Sequence, residues 1–261
     1  MYQRKKNGKR FWGITVVFLA AVLLLLLKIL FSTDRLQLGL EDRNPKIERF
    51  ASENNLSVYD YPGELIELMH SNPETEEFVL HYPVKKDLHQ AYSLEECTNC
   101  EEVPLLMQWD ERWGYEEYAG ELMGISGCGP TCLSMVCIYL LNDVTYDPAY
   151  IARFSEENGF SDRGNGSKWT LISEGGELLG LDVTEIPLDE NRIIRNLKVD
   201  NPIICVMGPG DFTTTGHFVV MTGYENGKIS ILDPNSRKRS DMTWEYEDIS
   251  EQIRNLWVCR I

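Results

Sequence analysis

The chain has 261 residues, of which 41 are Asp or Glu against 25 Lys or Arg, for a formal net charge of −16. Such an acidic balance excludes a general nucleic-acid binder, which needs positive charge to displace counterions from phosphates. No phosphate-binding glycine loop, HExxH helix or second CxxC is present, so neither a nucleotide nor a metal mechanism is expected, and no cofactor.

The N-terminus is the exception to the acidity. Arg4, Lys5, Lys6, Lys9 and Arg10 precede an apolar run from Phe11 to Leu27 broken only by Gly13 and Thr15, then Lys28 and the extension Ile29-Leu30-Phe31. At 1.5 Å per residue, residues 11–31 are about long enough to span a bilayer. No small-x-small cleavage site follows, so the reading is an uncleaved signal anchor. Residues 1–10 are then a cytoplasmic basic tail, and the rest of the chain is expected outside the cell membrane, single-pass, by the positive-inside rule.

Residues 32–100 read as an acidic stalk or arm. Gly63–Met69 predicts a short helix and Phe78-Val79-Leu80 a short apolar run. These apolar residues are too many for a pure tether and too few for a separate core. The spacing of His70, His81 and His89 is not that of metal ligands. Cys97-Thr98-Asn99-Cys100 is either a small disulfide loop or half a metal site, and its place before the main domain suits a staple.

Residues 101–261 carry the chemistry. Cys128 stands in Ser126-Gly127-Cys128-Gly129-Pro130-Thr131, ahead of Leu133, Val136, Cys137, Leu140 and Leu141 at the spacing of a buried helix. Pro130 suits its first turn and Asn142-Asp143 its stop. A thiol at a helix start, near an imidazole, is favoured as the nucleophilic thiolate. Further helices are predicted after the cap Asp147-Pro148, around Trp169–Leu179, and after the cap Asp189. Strands are expected over 202–207, from His217, from Ile229 and over 256–260: helices first and antiparallel strands after, an α+β order.

His217, the only histidine after Cys128, opens one arm of a hairpin whose turn is Asn226-Gly227, and Asp233 closes the other. A carboxylate or amide there would fix the imidazole's tautomer. A two-residue turn without a bulge sets His217 opposite Ser236 and puts Asp233 on the other face. A bulge, or the strand end at Pro234, would bring Asp233 or Asn235 round. Asp233 is preferred. The loops 162–167 and 208–216 are candidate rims of a cleft.

Three ordered segments, Val103–Trp113, Gly127–Val136 and Gly216–Val220 with Asp233-Pro234-Asn235-Ser236, resemble the C39-like peptidases, a papain-like cysteine peptidase group. The resemblance implies a papain-like α+β fold, its nucleophile helix packed on an antiparallel sheet, here preceded by the single transmembrane helix. It implies Cys128 as nucleophile, His217 as general base and then acid, Asp233 as orienter and Gln108 as oxyanion-hole donor. In peptide-exporting members the glutamine lies a few residues before the cysteine; here twenty positions separate them, with Trp113, Tyr115, Tyr118 and Leu122 between. The function expected is a membrane-anchored extracytoplasmic cysteine peptidase, acting on a peptide or protein substrate through a thioester acyl-enzyme. Alternatives are an amidase or acyl transferase on a cell-wall amide, and a non-catalytic binding module of the same fold.

Overall fold

The computed structural model describes residues 44–88 and 91–261, which fall into two units, one ending at Tyr59 and one running Asp60–Ile261. In the first, helix α1 (Pro45–Glu53) starts where the Asn44 side chain accepts the Lys46 N–H, and it buries Ile47 and Ala51. A capped helix thus lies within the stretch read as a polar stalk.

The second unit begins with α2 (Gly63–Ser71), the turn Pro73–Thr75 and α3 (Glu76–Lys85). A short hairpin, β1 (Glu117–Tyr118) and β2 (Glu121–Leu122), leads into the single turn α4 (Met123–Ser126) and then α5 (Cys128–Leu141). Helix α6 (Pro148–Glu157) starts at the Asp147 side chain, which accepts the Tyr150 N–H at 2.7 Å. There follow the small hairpin β3 (Ser161–Asp162) and β4 (Gly166–Ser167), a π-helical turn (Leu171–Gly175) and α7 (Gly176–Leu178). Next come β5 (Asp182–Glu185), α8 (Glu190–Leu197), capped by Asp189, and β6 (Ile203–Met207). The chain closes with β7 (His217–Glu225), β8 (Lys228–Leu232), α9 (Arg237–Ser240), β9 (Thr243–Trp244), α10 (Tyr246–Ile249) and β10 (Ile253–Arg260).

Six of these strands form one antiparallel sheet in the order β5-β10-β6-β7-β8-β9. Alternation along β6 sends Ile204 and Val206 into a core shared with α5, while Ile203, Cys205 and Met207 enter a second core with Ile193 and Leu197 of α8. Central strands covered on both faces need apolar residues at every position, which is why β6 is buried throughout. Helix α5 is buried all round from Gly129 to Ile138, not along one stripe, because sheet, α6 and the π-helical turn enclose it. An α-helix with no wet face belongs in the interior.

One expectation is corrected. Among the described residues no helix is long and apolar enough to cross a membrane; the longest, α5, has 14 residues, about 21 Å against ~30 Å of hydrocarbon. The described residues form an α+β fold; the preceding transmembrane helix, and with it the single-pass cell-membrane localisation with an extracytoplasmic domain, is not supported. Residues 11–31, on which that expectation rested, lie outside the described residues.

Candidate active site

Cys128 is the first residue of α5. Gly127 precedes it at the helix boundary, and its carbonyl accepts the Thr131 N–H at 3.0 Å and the Thr131 hydroxyl at 2.8 Å. Pro130, which has no N–H to leave unpaired, sits in the first turn. Asn142, left-handed at φ 50°, ends the helix. Cys128 is half-buried as a residue, and its sulfur faces His217 at the start of β7.

The hairpin resolves the register question through a bulge. Glu225 pairs with Lys228 across Asn226-Gly227, both left-handed, but the ladder shifts between Met221 and Gly223 so that Val220 pairs with Leu232. Continuing that register one step sets Asp233 opposite Val219, on the same side of β7 as His217. The His217 Nε2 and Asp233 Oδ1 atoms lie 2.7 Å apart. Asp233, not Asn235, meets the imidazole. Asn235 instead gives its backbone N–H to Asp233 Oδ1 at 2.7 Å.

Asp233 is fully buried, and two further groups hold it: Arg239 Nε donates to Oδ2 at 2.5 Å, and Ser240 Oγ accepts the Asp233 backbone N–H at 2.9 Å. Burial pushes its carboxyl up, but His217 and Arg239 outweigh burial and hold it below the usual carboxylate value. For His217, burial disfavours the charged ring, yet the Asp233 charge and hydrogen bond, with Cys128 on the other side, leave it pushed up to about 10. Burial also raises Cys128. The hydrogen bond and charge of His217, with the backbone N–H groups of Phe218 and Gly129, more than compensate, so its thiol lies below the ordinary value. One turn along the same helix, burial drives Cys132 well above it.

Gln108 is brought to the site despite the long separation in sequence. The intervening residues fold back through the β1–β2 hairpin, with Trp113 and Tyr118 buried, and Gln108 Nε2 donates to the Gly124 and Ile125 carbonyls, each at 3.0 Å. Its backbone N–H donates to the Pro234 carbonyl at 2.8 Å, tying the glutamine to the aspartate loop. Gln108 Oε1 is buried without a partner. Gln108, Cys128 and His217 line one cavity of about 530 Å³, walled by Gly166 and Ser167 on one side and by Phe212 and Thr213 on the other. Both loops expected as rims thus border it. Trp169, half exposed, adds an aromatic face.

The seven cysteines are free thiols, including buried Cys97 and half-buried Cys100. Among the described residues no three or more His, Cys, Asp or Glu side chains cluster as metal ligands. His70 is exposed, His81 contacts Glu111 at 2.5 Å, and His89 lies outside the described residues. Arg239 was not anticipated from the sequence. The signal available was Arg237-Lys238-Arg239, a basic run beginning four residues after Asp233 in an otherwise acidic domain.

A thiol, an imidazole and a carboxylate in line on an α+β scaffold characterise a cysteine peptidase-like domain. The chain belongs to the Peptidase_C39 like family, whose model matches residues 100–259. Among solved structures, the peptidase domain of Streptococcus ComA, a bi-functional ABC transporter involved in a quorum sensing pathway, is similar at 20% identity and TM-score 0.41, covering 51% of this chain and 89% of that one. A protein from Bacillus anthracis described as a C39-like peptidase is similar at 16% identity and TM-score 0.36, covering 60% and 94%. No curated protein matches the chain.

Proposed function

We propose that the chain is a cysteine peptidase that hydrolyses amide bonds of a peptide or protein substrate through a thioester acyl-enzyme, with residues 101–261 as its peptidase domain. The observation that carries this reading is the contact series Cys128, His217, Asp233 opening onto one cavity. Sulfur is competent as thiolate, and the lowered Cys128 together with the raised His217 favours thiolate beside imidazolium. The pair titrates as a unit.

In the proposed reaction, the Cys128 thiolate attacks the scissile carbonyl carbon and the carbonyl π pair moves to oxygen. The pair returns as the C–N bond breaks, and the proton on His217 passes to the departing nitrogen. Water then enters. His217, now neutral, takes a proton from it; the hydroxide oxygen bonds to the acyl carbon, and the C–S bond breaks to return the thiolate beside imidazolium. Asp233 bonds Nε2, which leaves Nδ1 as the nitrogen facing sulfur.

Gln108 is assigned to the oxyanion. Both of its N–H bonds are engaged with carbonyls, so the assignment requires one of them to turn from Gly124 or Ile125 toward the substrate oxygen. Donors aimed at that developing charge are commonly worth ~10²- to 10³-fold in rate.

The test is to incubate the full chain with a diverse peptide mixture and to identify products by mass spectrometry, with Cys128→Ala as the control. New termini carrying one water, absent with the variant, are expected. Products that form equally with Cys128→Ala, or no change in any peptide, would count against the proposal.

A further inference from the structure

The loop that carries Asp233 is held by a segment that precedes the family match. Between α2 and α3, Glu74 reaches across to the start of α9. Its Oε1 accepts the Ser236 hydroxyl at 2.6 Å and the Lys238 N–H at 3.3 Å, and its Oε2 accepts the Arg237 N–H at 2.8 Å. These are N–H groups that a four-residue helix leaves without internal acceptors. Asn72 sits beside it, its Oδ1 accepting the Glu74 N–H at 3.1 Å. Its Nδ2 donates to the Asn235 carbonyl, and to Asn235 Oδ1 at 3.2 Å. Trp109 Nε1 donates to that same carbonyl at 3.1 Å.

These contacts converge on Asp233 by two short routes. Asn235, whose carbonyl is held by Asn72, gives its N–H to Asp233 Oδ1, the oxygen that meets His217. Ser236, whose hydroxyl is held by Glu74, accepts the Arg239 N–H at 3.2 Å, and Arg239 binds Asp233 Oδ2. Each carboxylate oxygen therefore has one neighbour tethered to the arm.

The arm also supports the opposite flank. Phe78 of α3 stacks on Tyr115 at 4.5 Å between ring centroids and lies against Gly124, where a Cβ would come within 2.5 Å of its ring. Gly124 bears one of the carbonyls that hold Gln108.

We propose that Asn72 and Glu74 are positioning residues of the site, clamping the 233–240 loop so that Asp233 keeps His217 aligned with Cys128. This rests on the Cys128–His217–Asp233 reading above. Neither residue touches the reacting atoms; both act through Asn235, Ser236 and Arg239. The peptidase domain would then require residues 72–78 as part of its working structure, although the family match starts at residue 100.

The test uses the full chain and reads the rate of Cys128 alkylation by iodoacetamide across pH, resolved by mass spectrometry, for the parent and for Glu74→Ala, Glu74→Gln, Asn72→Ala and Cys128→Ala. Thermal melting and hydrolysis of any peptide found to be cleaved are measured alongside. With the clamp removed, Glu74→Ala is expected to raise the alkylation midpoint by about one pH unit, making Cys128 about tenfold slower to label below it. The value of kcat should fall with KM little changed. Glu74→Gln, which keeps an acceptor oxygen, should recover most of the loss, and Asn72→Ala should show a smaller shift in the same direction. A lower melting temperature with an unchanged alkylation profile in Glu74→Ala, or in Asn72→Ala if the former does not fold, would reduce the contact to plain structural support and overturn the inference. Hydrolysis that survives in Cys128→Ala would sink the peptidase reading itself, and the inference with it.

Discussion

At one end of the site Cys128 rides on a helix whose next ten residues, Gly129–Ile138, are all buried; at the other, Asp233 sits on a loop held by hydrogen bonds and charge from His217, Arg239, Asn235 and Ser240. The first end is fixed by close packing, which tolerates apolar exchanges of similar volume. The second is fixed by polar groups taken out of water, where deleting one partner strands another. The position of Cys128, the proposed nucleophile, should therefore survive repacking, whereas the imidazole's position and charge should respond to single polar deletions some distance away.

The largest effects are expected at the two groups proposed to react. Cys128→Ala and His217→Ala should each lower kcat/KM for peptide hydrolysis by ~10⁴-fold or more, read against peptides cleaved by the parent. Retention of measurable hydrolysis by either variant at parental levels would break the comparison at its root.

Asp233→Ala follows, with a loss of ~10²- to 10⁴-fold in kcat and ~3–5 kcal/mol in stability, because Arg239 and His217 lose a buried partner. The pH dependence has a definite sign. The Asp233 carboxyl is held below its ordinary 3.8, so its stabilisation is present above that value and is lost as pH falls through the still lower folded-state value. Denaturant melts of the parent should therefore weaken on acidification through that range, and Asp233→Asn should remove that part of the dependence.

Gln108→Ala is expected to lower kcat by ~10²-fold with KM little affected, measured on the same peptides. A larger change in KM than in kcat would make Gln108 a binding group. The smallest effect on chemistry should come from the packed end. Leu133→Ala should cost about 2–5 kcal/mol in unfolding free energy yet leave the pH profile of Cys128 labelling where it was, and Leu133→Met should cost less than about 1.5 kcal/mol.

The same contrast governs what could be read from the sequence. Helix α5 was legible because apolar spacing, Pro130 and Asn142 all point to one element, and α6 and α8 because Asp147 and Asp189 are N-cap residues in front of apolar patterns. The hairpin was legible through Asn226-Gly227. A bulge was one of two ways the sequence left for bringing Asp233 or Asn235 round, but its place at Thr222 was not legible, since a one-residue shift leaves the composition of both strands unchanged while reversing which side Asp233 occupies. Asn72 and Glu74 were not legible either, because their hydrogen bonds join segments 162–164 residues apart; nor was Arg239, whose bond to Asp233 six residues away imposes no periodicity. Gln108 was placed by resemblance alone, and the fold of residues 109–127 that returns it to Gly124 rests on Trp113 and Tyr118 becoming core residues.

The peptidase reading rests on His217 making Cys128 a thiolate where ordinary thiols are protonated. It is tested most directly by alkylating the parent chain and His217→Ala across pH and following all seven cysteines separately. Cys128 should label first, with a midpoint below the ordinary 9.0, while Cys132, Cys137, Cys205 and Cys259, raised by burial, lag behind. In His217→Ala the Cys128 midpoint should rise. Labelling of Cys128 no faster than that of Cys100, the other half-buried thiol, or a profile indifferent to His217→Ala, would contradict it.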